Sequence, residues 1–302
     1  MIDPRRLHVL QAVVSNGSVA AAARVLHLTP PAVSQQLLAL ERETGAALLD
    51  RSGKQVKPTA AGRLLAEHAE RVTAQLRRAE RELAELTGRV SGPVRVAAFQ
   101  SVMGPLVAPA IRKVADTHPA IHVSVTERYG PGAVAELRRG NLDVVLTEYD
   151  SSGGPPAEAG LHLRTLAFDP YVLVFPPDWA IIVRGARDLA GRPWVAGPPG
   201  TACDHALRRL AAEVGASIVA HDVCVEFPSV LALVAAGRGA AIVPRLTLTG
   251  GAVATCSLPG LGGRYIAAFH LSSPGHPSPA ASTVLDALAE RSRDSFAPPG
   301  PD

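Results

Sequence analysis

The sequence from residue 17 to residue 45 is GSVAAAARVLHLTPPAVSQQLLALERETG, and it predicts two short helices joined by a tight turn. Ser18 follows a glycine that stops the preceding helix, and its hydroxyl can cap the first helix of the pair. Thr29 can cap the second helix, with Pro30 at the first helical position, where the missing N–H costs nothing. The pattern indicates a helix-turn-helix.

The residues on either side extend this unit. Residues 4–15 have apolar side chains at helical spacing and predict a further helix before the pair. After Gly45, residues 48–58 predict two short strands around Ser52-Gly53-Lys54, which would form a wing. Together these elements predict a small helical domain with a wing.

A long helix is predicted next, because residues 59–87 lack proline and place apolar residues alternately four and three positions apart. This heptad pattern favours pairing with the same helix of a second copy; the alternative is an amphipathic helix packed on its own domain. Two seam positions are alanines, which suit a close helix pair. The residues expected to hold a dimer together are Leu65, Val72, Leu76, Leu83 and Leu86.

Beyond a predicted hinge at residues 88–92, short β-rich runs alternate with helices. Such alternation predicts βαβ units with mostly parallel sheets, arranged as two lobes with a ligand between them at the carboxyl ends of strands. The predicted strands are residues 94–98, 121–126, 142–147, 171–175, 194–196, 219–225 and 240–243. The predicted helices are residues 105–117, 132–138, 203–214, 229–236 and 280–291.

Composition excludes several classes of protein. Apolar residues make up 47% of the chain and charged residues 19%, so a large core is expected and disorder is not. No secretory signal is recognisable at the start, and no uncharged apolar run approaches the roughly 18 residues of a membrane-spanning helix. Cys203, Cys224 and Cys256 are odd in number and widely spaced, which predicts reduced thiols. We therefore expect a cytoplasmic protein.

The charge of the chain is unevenly distributed. Residues 1–66 contain eight lysines and arginines against four acidic residues, whereas the rest of the chain is close to neutral. A basic N-terminal domain on a neutral body is typical of nucleic-acid-binding proteins, because phosphates attract the basic part alone.

The motifs of the N-terminal part resemble those of the LysR-type transcriptional regulators. Order and spacing agree at residues 7–13, Gly17-Ser18, Ala22-Ala23, Leu26, Ala32-Val33-Ser34, Leu40-Glu41, Gly45, Leu48-Leu49-Asp50-Arg51 and Thr59-Ala60-Ala61-Gly62. Looser similarity at Pro119, Gly140-Asn141-Leu142-Asp143, Asp188-Leu189-Ala190-Gly191, residues 234–239 and Pro244 extends the resemblance over nearly the whole chain. Three positions depart from the family pattern, which usually has Gln at Pro30, Phe at Leu49 and Leu at Pro58.

The resemblance implies an α/β fold class with an N-terminal all-α winged helix-turn-helix and a long linker helix. It further implies a C-terminal two-lobed α/β domain similar to type-2 periplasmic binding proteins. We expect the DNA-binding domain at residues 1–58, the linker helix at 59–88, the effector-binding domain at 89–295 and a disordered tail at 296–302. Within the effector domain, residues 92–164 and 268–295 would form the first lobe and residues 165–267 the second.

The resemblance also implies partners. They are double-stranded DNA with a pseudo-palindromic promoter site, a small-molecule effector, further copies of the chain in a dimer or tetramer, and RNA polymerase if the protein activates transcription. No cofactor is expected.

The recognition helix would enter the major groove by its N-terminal turns, where side chains reach base edges. That end has Pro30, Pro31, Ser34 and Gln35, of which Gln35 can pair with adenine and Ser34 can contact a base or a phosphate. Because Pro30 replaces a residue that often contacts a base, the family's base contacts do not transfer intact. The wing residues Arg51, Lys54 and Lys57 are expected to contact phosphates or the minor groove.

Effector contacts are expected where strands meet helices, since backbone N–H groups there can hold a carboxylate. Glu148, predicted to follow a strand at the cleft mouth, can instead pair with an amine, and a solvated loop acid is the simpler alternative. A carboxylate or an amino acid is thus the expected effector. The predicted contact residues are Gln100, Ser101, Val102, Glu148, Gly200, Thr201, Phe227, Pro228 and Ser229.

Three competing functions fit the sequence less well. Cys203-Asp204-His205 combines groups used in catalysis, but adjacent helical residues do not face one another, so an enzyme is not expected. The histidines have no metal-ligand spacing, and no metal site is expected either. Redox sensing through Cys203, whose pKa a helix N-terminus could lower, is the main alternative. An exported solute-binding protein would not need the helix-turn-helix.

Overall fold

The computed structural model describes residues 2–50, 56–87, 90–179, 186–214, 220–248, 250–258, 260–271 and 277–295. These residues form two compact units. One contains residues up to 87 together with residues 139–141, and the other contains the remainder of the chain.

The N-terminal unit consists of four helices and a two-stranded wing. The elements are α1 (Pro4–Asn16), α2 (Val19–Val25), α3 (Pro30–Thr44), β1 (Leu49–Asp50), β2 (Lys57–Pro58) and α4 (Ala60–Leu86). Both predicted caps are confirmed, since the Ser18 hydroxyl accepts from the Ala21 N–H and the Thr29 hydroxyl from the Ala32 N–H. The helix-turn-helix predicted from residues 17–45 is therefore present.

One apolar cluster holds the helix-turn-helix together. Leu10 of α1 and three residues of α3, Val33, Leu37 and Leu40, are at most 1% exposed. The α3 residues are spaced by four and three positions, so they lie on one face of that helix. Burial of each such side chain stabilises the domain by roughly 1.5–3 kcal/mol. The opposite face of α3 is exposed to solvent.

The wing is tied to both neighbouring helices through polar contacts. The Glu41 carboxylate at the end of α3 accepts from the Leu48 N–H at 2.9 Å. The Thr59 hydroxyl donates to the Ala47 carbonyl at 2.8 Å and accepts from the Gly62 N–H at 3.0 Å, which caps α4. A Cβ at Gly62 would lie 2.0 Å from the Leu48 carbonyl oxygen, so only glycine fits there.

The long helix α4 changes environment along its length. Ala69 is buried in the core of the N-terminal domain, and Leu65 packs against that core. These two seam positions therefore pack within their own domain, as the intramolecular alternative predicted. The later seam leucines and valine are exposed: Val72 by 39%, Leu76 by 59%, Leu83 by 61% and Leu86 by 86%.

The C-terminal unit is built around one mixed sheet. Its elements, in chain order, are β3 (Gly92–Ala98), α5 (Gln100–Val102), α6 (Ala108–Thr117), β4 (Ile121–Glu127), α7 (Pro131–Arg138), β5 (Val144–Asp150), β6 (Leu161–Phe175), β7 (Trp194–Ala196), α8 (Ala202–Val214), β8 (Ala220–Val223), α9 (Phe227–Ala235), β9 (Ala241–Pro244), β10 (Ala254–Cys256), β11 (Gly263–Leu271) and α10 (Pro279–Ser295).

The strand pairing differs from the prediction of mostly parallel sheets. The order in the large sheet is β10-β6-β11-β5-β3-β4, with β9 also on β6. Parallel pairing joins β3 to β4 and to β5, but β11 runs antiparallel to both β5 and β6, and β6 runs antiparallel to β9 and β10. The prediction was wrong because β10 and β11 were not recognised as strands, and because β6 and β9, which were, pair antiparallel.

Two lobes with separate cores share the long strand β6. The first part of β6 pairs with β11 and belongs to a lobe whose core includes Val96, Leu146 and Leu285. Its last residues pair with β9 and belong to a second lobe whose core includes Leu173 and Trp194. The cleft between the lobes therefore lies beside the middle of β6.

The helix after β3 begins earlier than predicted. It starts at Gln100 in α5, widens into a π-helical turn over residues 103–107 and continues as α6. Pro109 has no N–H to offer the Pro105 carbonyl four residues earlier, and the Arg291 guanidinium of α10 donates to that carbonyl at 3.2 Å instead. Residues 100–102 therefore form a helical turn and not a loop.

Candidate functional site

The exposed face of α3 presents the predicted base-contacting residues. Pro30, Pro31 and Gln35 are exposed, and Ser34 is half-buried. Leu38, one turn further along, is 38% exposed. The two prolines stand at the capped N-terminus of the helix, so the exposed face begins at the end that enters a major groove in helix-turn-helix proteins.

Of the three basic residues predicted in the wing, Lys57 is within the described part of the chain. Lys57 is exposed on β2, where it pairs with Asp50 of β1 in antiparallel register. Arg51 and Lys54 lie outside the described residues. Lys57 is thus available to a DNA backbone beside α3.

A buried arginine occupies the cleft of the C-terminal unit. Arg264, at the start of β11, donates from Nε to Asp169 Oδ2 on β6 at 3.0 Å and from Nη1 to Glu148 Oε2 on β5. Asp169 also accepts from the Leu246 N–H at 3.0 Å. Burial raises the pKa of Asp169, and the Arg264 charge opposes that shift.

Two aromatic rings enclose the same guanidinium. Its carbon lies 5.5 Å from the ring centre of Phe99, which follows β3, and 5.8 Å from that of Phe227, at the start of α9. Both are within the range of a cation–π contact. Since Phe99 belongs to the first lobe and Phe227 packs with the second, Arg264 is held by both lobes.

A second ion pair joins the lobes directly. The Asp150 carboxylate at the end of β5 accepts two hydrogen bonds from Arg209 of α8. Arg209 Nη1 donates to Oδ1 at 3.0 Å, and Nη2 donates to Oδ2 at 3.1 Å. Ser152 donates to Asp150 and accepts from Arg209. Burial of Asp150 works against its ionisation, but the hydrogen bonds from Ser152 and Arg209 hold its pKa below the ordinary value. This two-bond fork holds α8 of the second lobe against the end of β5 in the first lobe.

Glu148 does not lie where the sequence predicted. It belongs to β5, which extends to Asp150, and not to a loop after the strand. Its carboxylate already has a cationic partner in Arg264, so the structure provides internally the charge that an amine effector was expected to bring.

The predicted anion site at the start of α8 is filled by the chain itself. The Gly200 N–H donates to Asp204 Oδ2 at 2.9 Å, and the Thr201 hydroxyl accepts from the Asp204 N–H. This reciprocal contact resembles a capping box and uses the donors that an effector carboxylate would need. Gly200 and Thr201 therefore serve as helix caps here.

The remaining predicted effector contacts divide by exposure. Val102 is fully buried in the core of the first lobe, so its prediction as an effector contact was wrong. Gln100 is exposed, whereas the Ser101 hydroxyl oxygen is buried without a hydrogen-bond partner among the described residues. Pro228 and Ser229 lie in the first turn of α9, and both are exposed.

Cys203 lies one residue into α8 and packs against the core of the second lobe. Burial, reinforced by the Glu148, Asp169 and Asp150 carboxylates and opposed by Arg264, raises the pKa of its thiol to about 12. The expectation that a helix N-terminus lowers this pKa was therefore wrong, because desolvation outweighs it. Cys224 follows β8 and is half-buried, not enclosed in a strand.

We predict that Cys203 resists alkylation. A thiol with a pKa near 12 is almost wholly protonated at neutral pH, and only the thiolate reacts. Iodoacetamide should therefore modify Cys203 at least ~100-fold more slowly than it modifies a free cysteine. Peptide mass spectrometry would measure the rate, with the urea-unfolded chain as control. Rapid labelling of the folded chain would restore redox sensing as a candidate.

Two kinds of feature are absent from the described residues. No group of three or more His, Cys, Asp or Glu side chains among them is placed to hold a metal ion. No helix in that part of the chain combines the length and apolarity needed to cross a membrane.

Comparison with known families matches both units. A model described as bacterial regulatory helix-turn-helix protein, lysR family, matches residues 4–63, and the LysR substrate binding domain matches residues 87–293. The chain belongs to the LysR family. It is a DNA-binding transcriptional regulator with an effector-binding C-terminal domain, and effector binding modulates its DNA binding.

Individual relatives agree with this assignment. The RuBisCO operon transcriptional regulator of Allochromatium vinosum is 30% identical over 221 residues, which cover 72% of this chain and 71% of the relative. The probable regulator LrrA of Synechococcus elongatus is 29% identical over 251 residues, or 80% of each chain.

Solved structures share the fold. CbnR complexed with its target DNA has a TM-score of 0.66 at 23% identity, covering 97% of this chain and 99% of that one. A full-length cysteine variant of OxyR from Pseudomonas aeruginosa has a TM-score of 0.68 at 19% identity, covering 97% and 95%. The fold of this LysR regulator is therefore that of the full-length family members.

Sequence reasoning missed the three residues that organise the cleft, Arg264, Asp169 and Arg209. Arg264 contacts carboxylates 95 and 116 positions earlier in the chain, and Arg209 contacts one 59 positions earlier. No local motif marks such pairs. The one available signal was Arg264 itself, a lone arginine in the largely apolar run GRYIAAFHL.

Proposed function

We propose that this LysR regulator binds a two-fold-symmetric promoter site as a dimer, with α3 of each copy in the major groove. The observation that carries the proposal is the exposed face of α3, on which Pro30, Pro31 and Gln35 follow a capped N-terminus. The exposed seam of α4 would join the copies, and further association to a tetramer would use the effector domain. Arg51 and Lys54 are proposed to contact the backbone together with Lys57.

The proposed sequence readout differs from that of a typical relative at one position. Proline at residue 30 can touch a thymine methyl group but cannot donate or accept through its side chain. Gln35 remains the exposed residue suited to a bidentate contact with adenine. Ser34, half-buried, is proposed to contact a base or a phosphate.

We predict that Gln35→Ala relaxes specificity at one position of each half-site. Loss of a bidentate base contact should cost about 1–3 kcal/mol at the cognate base and little at other bases. Lys57→Ala is the matched comparison, because a phosphate contact should weaken binding to all sequences equally and reduce the salt dependence. Titrations against single-base variants of the selected site would measure both. Uniform weakening by Gln35→Ala would remove it from base recognition.

The effector is proposed to bind in the cleft beside Arg264 and to shift the balance between arrangements of the lobes. A ligand shifts such a balance only by binding one arrangement more tightly. The Asp150–Arg209 fork and the aromatic rings around Arg264 join the two lobes, so these are the contacts that an effector bound beside them would strengthen or weaken. Contacts proposed at the rim are Gln100, Pro228 and Ser229.

DNA selection with the purified protein tests the proposed function. Genomic fragments would be enriched on the protein, and the strongest site would be footprinted at several salt concentrations. A salt-sensitive footprint with two-fold symmetry is expected, and absence of a specific site would reject the proposal. The cytoplasm is the proposed location, and RNA polymerase is the proposed partner if the adjacent gene is activated.

A further inference from the structure

The three charged residues at the centre of the cleft differ in exposure. The side chains of Asp169 and Arg264 are 1% and 2% exposed, whereas that of Glu148 is 36% exposed. Asp169 is further held by the Leu246 N–H. Glu148 is therefore the member of this charge triad that solvent reaches.

This difference determines which side chain can leave. Withdrawal of Asp169 or Arg264 would strand an opposite charge in the interior, which is strongly unfavourable. Withdrawal of Glu148 returns a carboxylate to water and leaves Arg264 still paired with Asp169. An incoming anion would then restore the original charge of the triad. The exchange of Glu148 for another anion is thus the least costly change the cleft allows.

Two further donors in the cleft favour an oxyanion. Arg264 Nη2 lies 2.9 Å from Asp169 Oδ2, but it has no hydrogen bond of acceptable geometry among the described residues. The Ser101 hydroxyl, two residues beyond the ring of Phe99, is also buried and unpartnered there. Buried polar groups without partners are rare in native proteins, so both donors would gain an acceptor if a ligand oxygen reached them.

We propose that the effector is a small organic oxyanion, a carboxylate or a phosphate, that displaces Glu148 from Arg264. Glu148 is then a built-in competitor that neutralises the receptor arginine while the cleft is empty. Phe99 and Phe227 keep the guanidinium in place during the exchange. An amine effector is disfavoured, because it would have to displace the buried Arg264 from its carboxylates. This inference rests on the proposed effector cleft.

Glu148→Gln in the full-length protein tests the exchange. Binding of sodium acetate, sodium benzoate and inorganic phosphate would be measured by calorimetry and thermal shift at constant ionic strength, with methylammonium chloride as the cationic probe. The variant should bind at least one oxyanion about tenfold more tightly than the wild type, since one charge-assisted hydrogen bond no longer competes. The carboxylate and phosphate arms distinguish the two anion classes. Asp286→Asn is the matched control, because it removes an exposed carboxylate paired with Arg164 in the same lobe.

Several outcomes would overturn the inference. One is that the wild type and Glu148→Gln bind the oxyanions with equal affinity. Another is that the variant binds none of the three oxyanions. A third is that the wild type binds methylammonium and Glu148→Gln does not. Oxyanion binding that survives Arg264→Met would do the same; should that variant not fold, the Glu148→Gln comparison decides alone. If the protein gives a specific DNA footprint but Glu148→Gln does not change oxyanion binding, only this inference is rejected. If the protein gives no specific footprint, the proposed function is rejected.

Discussion

Gly62→Ala is expected to destabilise the N-terminal domain by roughly 3 kcal/mol, the upper part of the range for overpacking. The added Cβ would lie 2.0 Å from the Leu48 carbonyl oxygen, a backbone atom that cannot rotate away. That oxygen also accepts from the Thr59 N–H at 3.0 Å, so any shift weakens the junction between wing and α4. Calorimetry of the full chain should show the unfolding transition of this domain lowered by more than about 10 °C.

Gly132→Ala is the matched control for this substitution. Gly132 also stands in the first turn of a helix, α7, but a Cβ there meets no atom within 4 Å. Alanine should therefore leave stability unchanged or raise it by up to about 1 kcal/mol, because it restricts the unfolded chain. Equal effects of the two substitutions would show that the close approach of α4 to Leu48 is relieved at little cost.

Gly62 also illustrates how far sequence reasoning reached in the N-terminal domain. The caps Ser18 and Thr29 and the stops Gly17 and Gly45 act through residues at most four positions away, so the sequence alone located the helices. The reason for glycine at position 62 lies in a contact with the wing, fourteen residues earlier, and required the structure.

The C-terminal unit was less predictable because its decisive contacts are long-range. The strand β11 runs antiparallel to β5 and β6, more than 90 positions earlier, and so contributes to the mixed character of the sheet. A pattern of alternating strands and helices favours parallel pairing, and the antiparallel partners of β11 and β6 appear only in the structure. The role of Arg264 depends in the same way on long-range contacts, those with Glu148 and Asp169.

Two of the cleft residues named from the sequence, Gly200 and Thr201, bond within the chain for a different reason. Strand–helix junctions offer backbone donors, but at α8 the donors of Gly200 and Asp204 are used within the chain. Whether such a site is free depends on the side chain three or four residues later. Local chemistry therefore identifies candidate sites at strand–helix junctions, and at α8 the chain's own Asp204 already uses the donors.

The exposed part of the heptad seam of α4 is expected to pair two copies of the chain. With Leu65 and Ala69 packed on their own domain, the exposed seam begins at Val72 and includes Leu76 and Leu83. Exposed leucines at seam spacing on a single chain are what a helix pair would cover. The double substitution Leu76→Asp/Leu83→Asp should separate the DNA-binding domains and lower affinity for a two-half-site DNA by more than about 100-fold, since each half-site then binds alone.

Leu64→Asp provides the control, because Leu64 is 56% exposed on the same helix but lies off the seam. It should retain the affinity of the wild type, which excludes a general effect of an acidic residue near the DNA. Sedimentation velocity would follow association, and titration against one and two half-sites would follow DNA binding. A double variant that keeps full affinity for the two-half-site DNA would locate the dimer contact elsewhere. The same titration against one half-site should show little change, because the pairing of copies, and not the α3 surface, is what the aspartates remove.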